Sequence, residues 1–130
     1  MFLLDTSTLI DLPRVRIPDG PLVLSALTYA ELSFGVERAR TSTIRRERVA
    51  RRAWLRDALG SDWLPFDTAA ADGYGRLAAI VARTRPSHAR SKDIMLAGHA
   101  HSLGASLVTL NPKDFDLVAD EVDIVVPELR

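Results

Sequence analysis

Four acidic residues of this 130-residue chain stand where acids are scarce. Asp5 closes the apolar run Phe2-Leu3-Leu4, and Glu31 lies between Ala30 and Leu32. Asp93 precedes Ile94-Met95-Leu96-Ala97, and Asp114 follows four residues after the apolar stretch that ends at Leu110. Charged side chains normally prefer the solvated face, so acids in such company are candidates for a site. Two carboxylates about 4–5 Å apart repel by roughly 3–4 kcal/mol at an effective dielectric near 20. Four sharing a pocket would need a cation. The chain has no cysteine, so the donors are all oxygen and select a hard ion, Mg²⁺ or Mn²⁺. Such an ion can lower the pKa of a water and neutralise charge on a phosphodiester under attack.

Each acid also has a plain structural role open to it. Asp5 could cap a helix starting at Thr6. Thr28-Tyr29-Ala30-Glu31 has the form of a capping box. Asp93 in a first helical turn suits the helix dipole, and Asp114 could close an Asx turn with Asn111-Pro112. Any one of these would suffice singly; the set of four is what points to chemistry.

The elements that must position them can be read from hydrophobic period and punctuation. Phe2–Leu4 is a short buried strand, and Thr6 to Leu12 one or two helical turns that Pro13 stops. Leu22-Val23-Leu24 is a second strand. A helix then begins near Thr28, placing Glu31 in its first turn. A further helix covers roughly Thr43 to Leu59, with Val49, Ala50, Ala53 and Trp54 as its apolar side. Arg45, Arg48, Arg52 and Arg56 fall within about 80° on another side. Trp63 to Phe66 is a short strand. Asp67 or Thr68 caps a helix to about Arg85 with Ala70, Tyr74, Leu77 and Val81 toward the core. Pro86 to Arg90 is a polar loop. Ser91 opens a helix to Leu103, terminated at Gly104. Ser106–Leu110 and Ile124–Val126 complete the strands. Strands separated by helices imply α/β architecture: one domain over residues 1–130, a parallel sheet flanked by helices in three layers. In such a sheet, sites form beyond the carboxyl ends of the strands.

Composition narrows the class. A hydrophobic fraction of 47% supports a real core. No apolar run approaches the roughly 20 residues of a membrane span, and Met-Phe-Leu-Leu-Asp is no secretory leader. A cytoplasmic protein with no membrane association is expected. Net charge is zero, yet eight arginines lie between Arg38 and Arg56 opposed only by Glu47, while the acids cluster from Asp114 onward. The arginine face is a candidate contact for RNA phosphates or for an acidic partner segment. His88, His99 and His101 read as polar surface; the last two are two apart on a helix and face different ways. Trp54 and Trp63 read as core.

Four segments in order resemble the PIN-domain VapC family along nearly the whole chain: Phe2-Leu3-Leu4-Asp5-Thr6-Ser7; Leu27-Thr28-Tyr29-Ala30-Glu31-Leu32, then Gly35-Val36-Glu37; Lys92-Asp93-Ile94-Met95-Leu96-Ala97-Gly98-His99-Ala100; and Leu107-Val108-Thr109-Leu110-Asn111-Pro112-Lys113-Asp114-Phe115. The resemblance implies a three-layer PIN-like domain that hydrolyses RNA with Mg²⁺, for which Mn²⁺ may stand in, through a metal-activated water. It implies Asp5 and Asp93 as principal metal ligands, with Glu31 and Asp114 completing the cluster directly or through water. Ser7, Thr109 and Asn111 would orient the carboxylates. It further implies a toxin role, a small VapB-like antitoxin that occludes the site, and a homodimer. Two departures stand out: Met95-Leu96-Ala97-Gly98 where smaller residues are usual, and no glycine in Ser87-His88-Ala89-Arg90.

Rival classes fit less well. Haloacid-dehalogenase enzymes use Asp-x-Asp, and here the second position is Ser7. A receiver domain phosphorylates an Asp on a mid-chain strand. The alternative from another class is a non-catalytic PIN-fold binding or scaffold module, which would be expected to have lost some of the four acids.

Overall fold

The chain's first strand becomes the middle of its sheet. A computed structural model describes residues 1–130. Its strands are β1 (Phe2–Leu4), β2 (Val15–Arg16), β3 (Leu22–Ser25), β4 (Trp63–Leu64), β5 (Ser106–Val108), β6 (Ile124–Val125) and β7 (Glu128–Leu129). Five of them run parallel in the order β4-β3-β1-β5-β6. The helices are α1 (Thr6–Ile10), α2 (Ala26–Glu37), α3 (Ser42–Leu59), α4 (Thr68–Ala82), α5 (Pro86–Ala89) and α6 (Lys92–Leu103), with 3-10 turns at Leu12–Arg14 and Pro112–Val118.

Successive strand residues point to opposite faces, and the core divides accordingly. Leu3 packs with Leu77, Ile94, Leu107 and Phe115, so α4, α6 and the second 3-10 turn cover one face. Leu4 packs with Leu9, Leu24 and Leu55, so α1 and α3 cover the other. The expected three-layer α/β architecture is therefore present. From β1 the chain moves to β3 on one side and, later, to β5 on the other. That reversal makes the carboxyl end of β1 the sheet's switch point, and Asp5 is the residue there.

Several local expectations are corrected. Helix α2 starts two residues before Thr28: the Ser25 hydroxyl accepts from the Leu27 N–H at 3.1 Å and caps it. Glu31 consequently belongs to the second turn, and no Thr28–Glu31 capping box forms. The Thr28 side chain is fully buried and its hydroxyl has no hydrogen-bond partner. Replacing Thr28 by Val, nearly the same shape, should therefore raise the unfolding midpoint in urea by the equivalent of about 1 kcal/mol. A lower midpoint would count against an unpartnered hydroxyl.

Pro13 lies inside the first 3-10 turn instead of ending α1, and Pro86–Ala89 is a short helix with proline at its permissive first position. On α3 the buried residue is Leu55; Ala50, Ala53 and Trp54 face outward, Trp54 being 52% exposed. The arginine side faces the neighbouring helices. Arg48 donates to the Gly35 carbonyl at 2.6 Å, Arg52 to the Ser33 hydroxyl at 2.8 Å, and Arg51 to the carbonyls of Leu9 and Ile10. Leu55 and the partly buried Leu59 anchor α3 to the core, and these polar contacts add to that anchorage. An antiparallel pairing of β2 with β7 is an addition to the expected elements. His99, expected at the surface, is buried at 2% exposure, with Nδ1 2.8 Å from the Ser25 hydroxyl. Burial lowers its pKa, so the ring is neutral and joins α6 to the start of α2.

One close approach fixes the pair α4 and α6. A Cβ on Gly98 would lie 2.3 Å from the backbone nitrogen of Tyr74, and one on Gly73 would lie 2.3 Å from the Gly98 carbonyl oxygen. Only hydrogen fits at either position.

Candidate active site

Asp5 is 6% exposed and held from three directions. Its Oδ1 accepts from the Thr6 N–H at 2.7 Å, which also caps α1. Its Oδ2 accepts from the hydroxyls of Thr109 at 2.7 Å and Ser7 at 3.1 Å. Each hydroxyl is itself fixed: the Leu110 N–H donates to Ser7 and the Asn111 N–H to Thr109. Asn111 thus joins the network through its backbone, and its side chain makes no capping bond. The Thr8 hydroxyl donates to the Val108 carbonyl at 3.1 Å, tying α1 to β5 directly beneath.

The other acids surround this anchor. Burial raises the Glu31 pKa, the charges of Asp5 and Asp93 raise it further, and Lys92 opposes the change. The Lys92 ammonium is 3.8 Å from Glu31. Burial likewise raises the Asp93 pKa, followed by the charges of Asp114 and Asp5, while His88 and Lys92 lower it. Asp114 is exposed, in the first turn of the 3-10 helix, and its carbonyl accepts from His88 Nε2 at 2.8 Å. The four acids therefore form one electrostatic neighbourhood, in which Asp93 feels or exerts charge on each of the other three.

They do not close on a point: no three acidic or histidine side chains stand close enough to hold one ion together. Mg²⁺ commonly keeps several waters and uses only one or two carboxylates, a mode of binding that needs no such cluster. The donors are all oxygen, and two of the carboxyls are held above their usual pKa by burial and mutual charge. A hard divalent cation fits that set and would relieve it.

Arg48 and Arg52 line the same cleft as Glu31, whereas Arg45 turns away into an ion pair with Glu37 at 3.0 Å. His88 and Lys92 are site residues that sequence reasoning passed over. Lys92 had a legible signal, because a cation in the first turn of a helix opposes the dipole and is explained only by a nearby negative charge.

A parallel sheet with acids at its switch point defines a class, and comparison agrees: residues 2–121 match the PIN domain model. The chain belongs to the PIN-domain family. Within it the chain is of the VapC type, 32% identical over 108 residues to the tRNA(fMet)-specific endonuclease VapC of Shigella flexneri, a match spanning 81% of this chain and 75% of the relative. The crystal structure of VapBC-5 from Mycobacterium tuberculosis superposes with a TM-score of 0.72 at 29% identity, covering 95% of this chain and 94% of that one. VapBC2 from Rickettsia felis, bound to a promoter DNA fragment, shares the fold at TM-score 0.75 and 17% identity, over 98% of each chain.

Proposed function

We propose that this chain is a metal-dependent endoribonuclease, the toxin of a toxin–antitoxin pair, cutting RNA phosphodiester bonds at Asp5, Glu31, Asp93 and Asp114. The observation that carries the reading is Asp5, locked by three donors at the switch point while its charge presses on Glu31 and Asp93. The name of the Shigella flexneri relative supports transfer RNA as the first substrate to try. Asp5 and Asp93 would hold Mg²⁺ or Mn²⁺ directly, with Glu31 and Asp114 acting through water. The ion would supply positive charge for the phosphodiester and a water of lowered pKa.

The chain's own residues have distinct tasks. Ser7 and Thr109 fix the direction of the Asp5 carboxylate, so little reorganisation accompanies reaction. Glu31, whose carboxyl holds a proton more firmly than usual, is suited to accept one from the attacking water. Lys92 beside it faces the anionic substrate. The partner is a VapB-like antitoxin, consistent with the VapBC complexes that share the fold. A homodimer in the cytoplasm is the expected form; no helix is long and apolar enough to cross a membrane.

The test is metal linkage together with cleavage. Chelator-treated protein should gain about 2.7 kcal/mol of stability from Mn²⁺ at roughly 100 times its dissociation constant. Asp93→Asn should lose most of that gain, and cleavage of a transfer RNA pool should require the metal. A melting curve indifferent to millimolar Mn²⁺ would sink the shared metal site.

A further inference from the structure

Five arginines of α3 fall into two groups by what they bond. Arg45 and Arg56 are neutralised by carboxylates, Glu37 at 3.0 Å and Asp62 at 2.7 Å. Arg48, Arg51 and Arg52 are held by neutral oxygens of α1 and α2. A guanidinium bonded to a carbonyl or hydroxyl keeps its full charge, and one occupied terminal nitrogen leaves other N–H donors free. These three line one cleft of about 720 Å³ between α1, α2 and α3, joined there by Arg38 and Arg40. Glu31 and Lys92 lie in the same cleft and connect it to the carboxylates. Five arginines and a lysine face a single acid. From Glu31 to Arg38 the axis of α2 rises about 10 Å. Of the four apolar side chains that also line the cleft, two are exposed, Phe34 at 61% and Ile10 at 56%.

Unneutralised cations beside an exposed aromatic ring are what a single nucleic acid strand needs, phosphate contacts plus a stacking surface, and the Arg38 guanidinium lies over one face of the Phe34 ring, 5.4 Å from its centre. Arg48 is already fixed by the Gly35 carbonyl of α2, so less of its side-chain freedom is lost on binding. We propose that this cleft is the track along which single-stranded RNA approaches the carboxylates, with Arg38, Arg40 and Arg48 on phosphates and Phe34 under a base. The proposal rests on RNA being the substrate.

The test measures binding without cleavage: full-length protein, EDTA, and a fluorescein-labelled oligouridylate read by anisotropy across a salt series. Changing Arg38, Arg40 and Arg48 to Gln should weaken binding at least tenfold near physiological salt. It should also flatten the salt slope by about 0.7 per contact, roughly 2 in all. Phe34→Ala should weaken binding about tenfold with the slope unchanged, since stacking releases no counterion. Arg45→Gln with Arg56→Gln, on the same helix but charge-paired, should bind like wild type. Melting curves check the fold, and Arg38→Gln with Arg40→Gln alone keeps the test valid if Arg48 proves structural. The proposal fails if the triple variant binds normally, or if the charge-paired variant loses as much. It also fails if the triple variant keeps RNA but loses an acidic, leucine-rich peptide, which would make the cleft a peptide dock. RNA that binds through these residues yet is never cut with Mg²⁺ or Mn²⁺ would overturn the hydrolytic reading and leave the track standing.

Discussion

Asp5→Asn is expected to leave a folded protein that cuts RNA at least a hundredfold more slowly, a loss of about 2.7 kcal/mol in transition-state stabilisation. The fold should survive because the three donors on Asp5 can be accommodated by an amide. The remaining oxygen still accepts from the Thr6 N–H, and the hydroxyls of Ser7 and Thr109 can turn to accept from the new NH₂. What disappears is the charge. Because Asp5 is among the causes that raise both Glu31 and Asp93, both should then titrate at lower pH in the metal-free protein. The sign for stability follows. A carboxyl whose pKa is raised by folding adds stability below its ordinary value, 4.5 for Glu31 and 3.8 for Asp93, and loses it as pH rises through the folded value. At neutral pH the wild-type cluster is therefore strained, and the variant's metal-free melting point should equal or exceed it. Wild-type cleavage rates from Asp5→Asn would remove these carboxylates from the reaction.

The largest stability effect is expected from Gly98→Ala. Alanine in place of glycine inside a helix ordinarily gains up to about 1 kcal/mol. Here the new methyl would lie 2.3 Å from the Tyr74 nitrogen and 2.8 Å from the Gly73 carbonyl carbon. Both are backbone atoms, which no rotamer change can move aside, so α6 must shift off α4. Overpacking of this kind costs roughly 1–3 kcal/mol or more, and the net expectation is a loss of about 2 kcal/mol. Gly75→Ala is the control: it lies on the same α4, where a Cβ meets nothing within 4 Å, and should be neutral or stabilising. Equal urea midpoints for the two variants would show that the helices can separate freely. Since α6 begins beside Asp93, cleavage by Gly98→Ala should fall further than its folded fraction alone explains.

Asp5 and Asp93 were legible as members of a set: Asp5 also caps α1 and Asp93 sits in a first helical turn, so neither position singled itself out alone. The start of α2 was not legible. Thr28-Tyr29-Ala30-Glu31 has the same letters whether it begins a helix or lies within one, and Ser25 prevails because β3 ends there with its hydroxyl already buried. On α3, the period correctly put Arg45, Arg48 and Arg52 on one side. It could not say whether that side meets water or a neighbour, because the carbonyls that receive the arginines belong to α1 and α2. The β2–β7 ribbon is two residues per strand, too short for any alternation to register. His99 was misplaced for a related reason: its partner, Ser25, is 74 residues away.

The distances along the chain within the Asp5 network also say when the site can come into being. Thr109, which holds Asp5, is 104 residues later, and Asp114 follows it. Strand β1 leaves the ribosome first, yet one of its two neighbours, β5, is nearly the last part of the sheet to be made. Until then β1 has an unpaired edge, Asp5 lacks the Thr109 donor, and the Ser7 hydroxyl lacks the Leu110 N–H that sets its direction. Domains fold as units during synthesis. A growing chain that stops short of residue 114 therefore carries Asp5, Glu31 and Asp93 without the geometry that joins them.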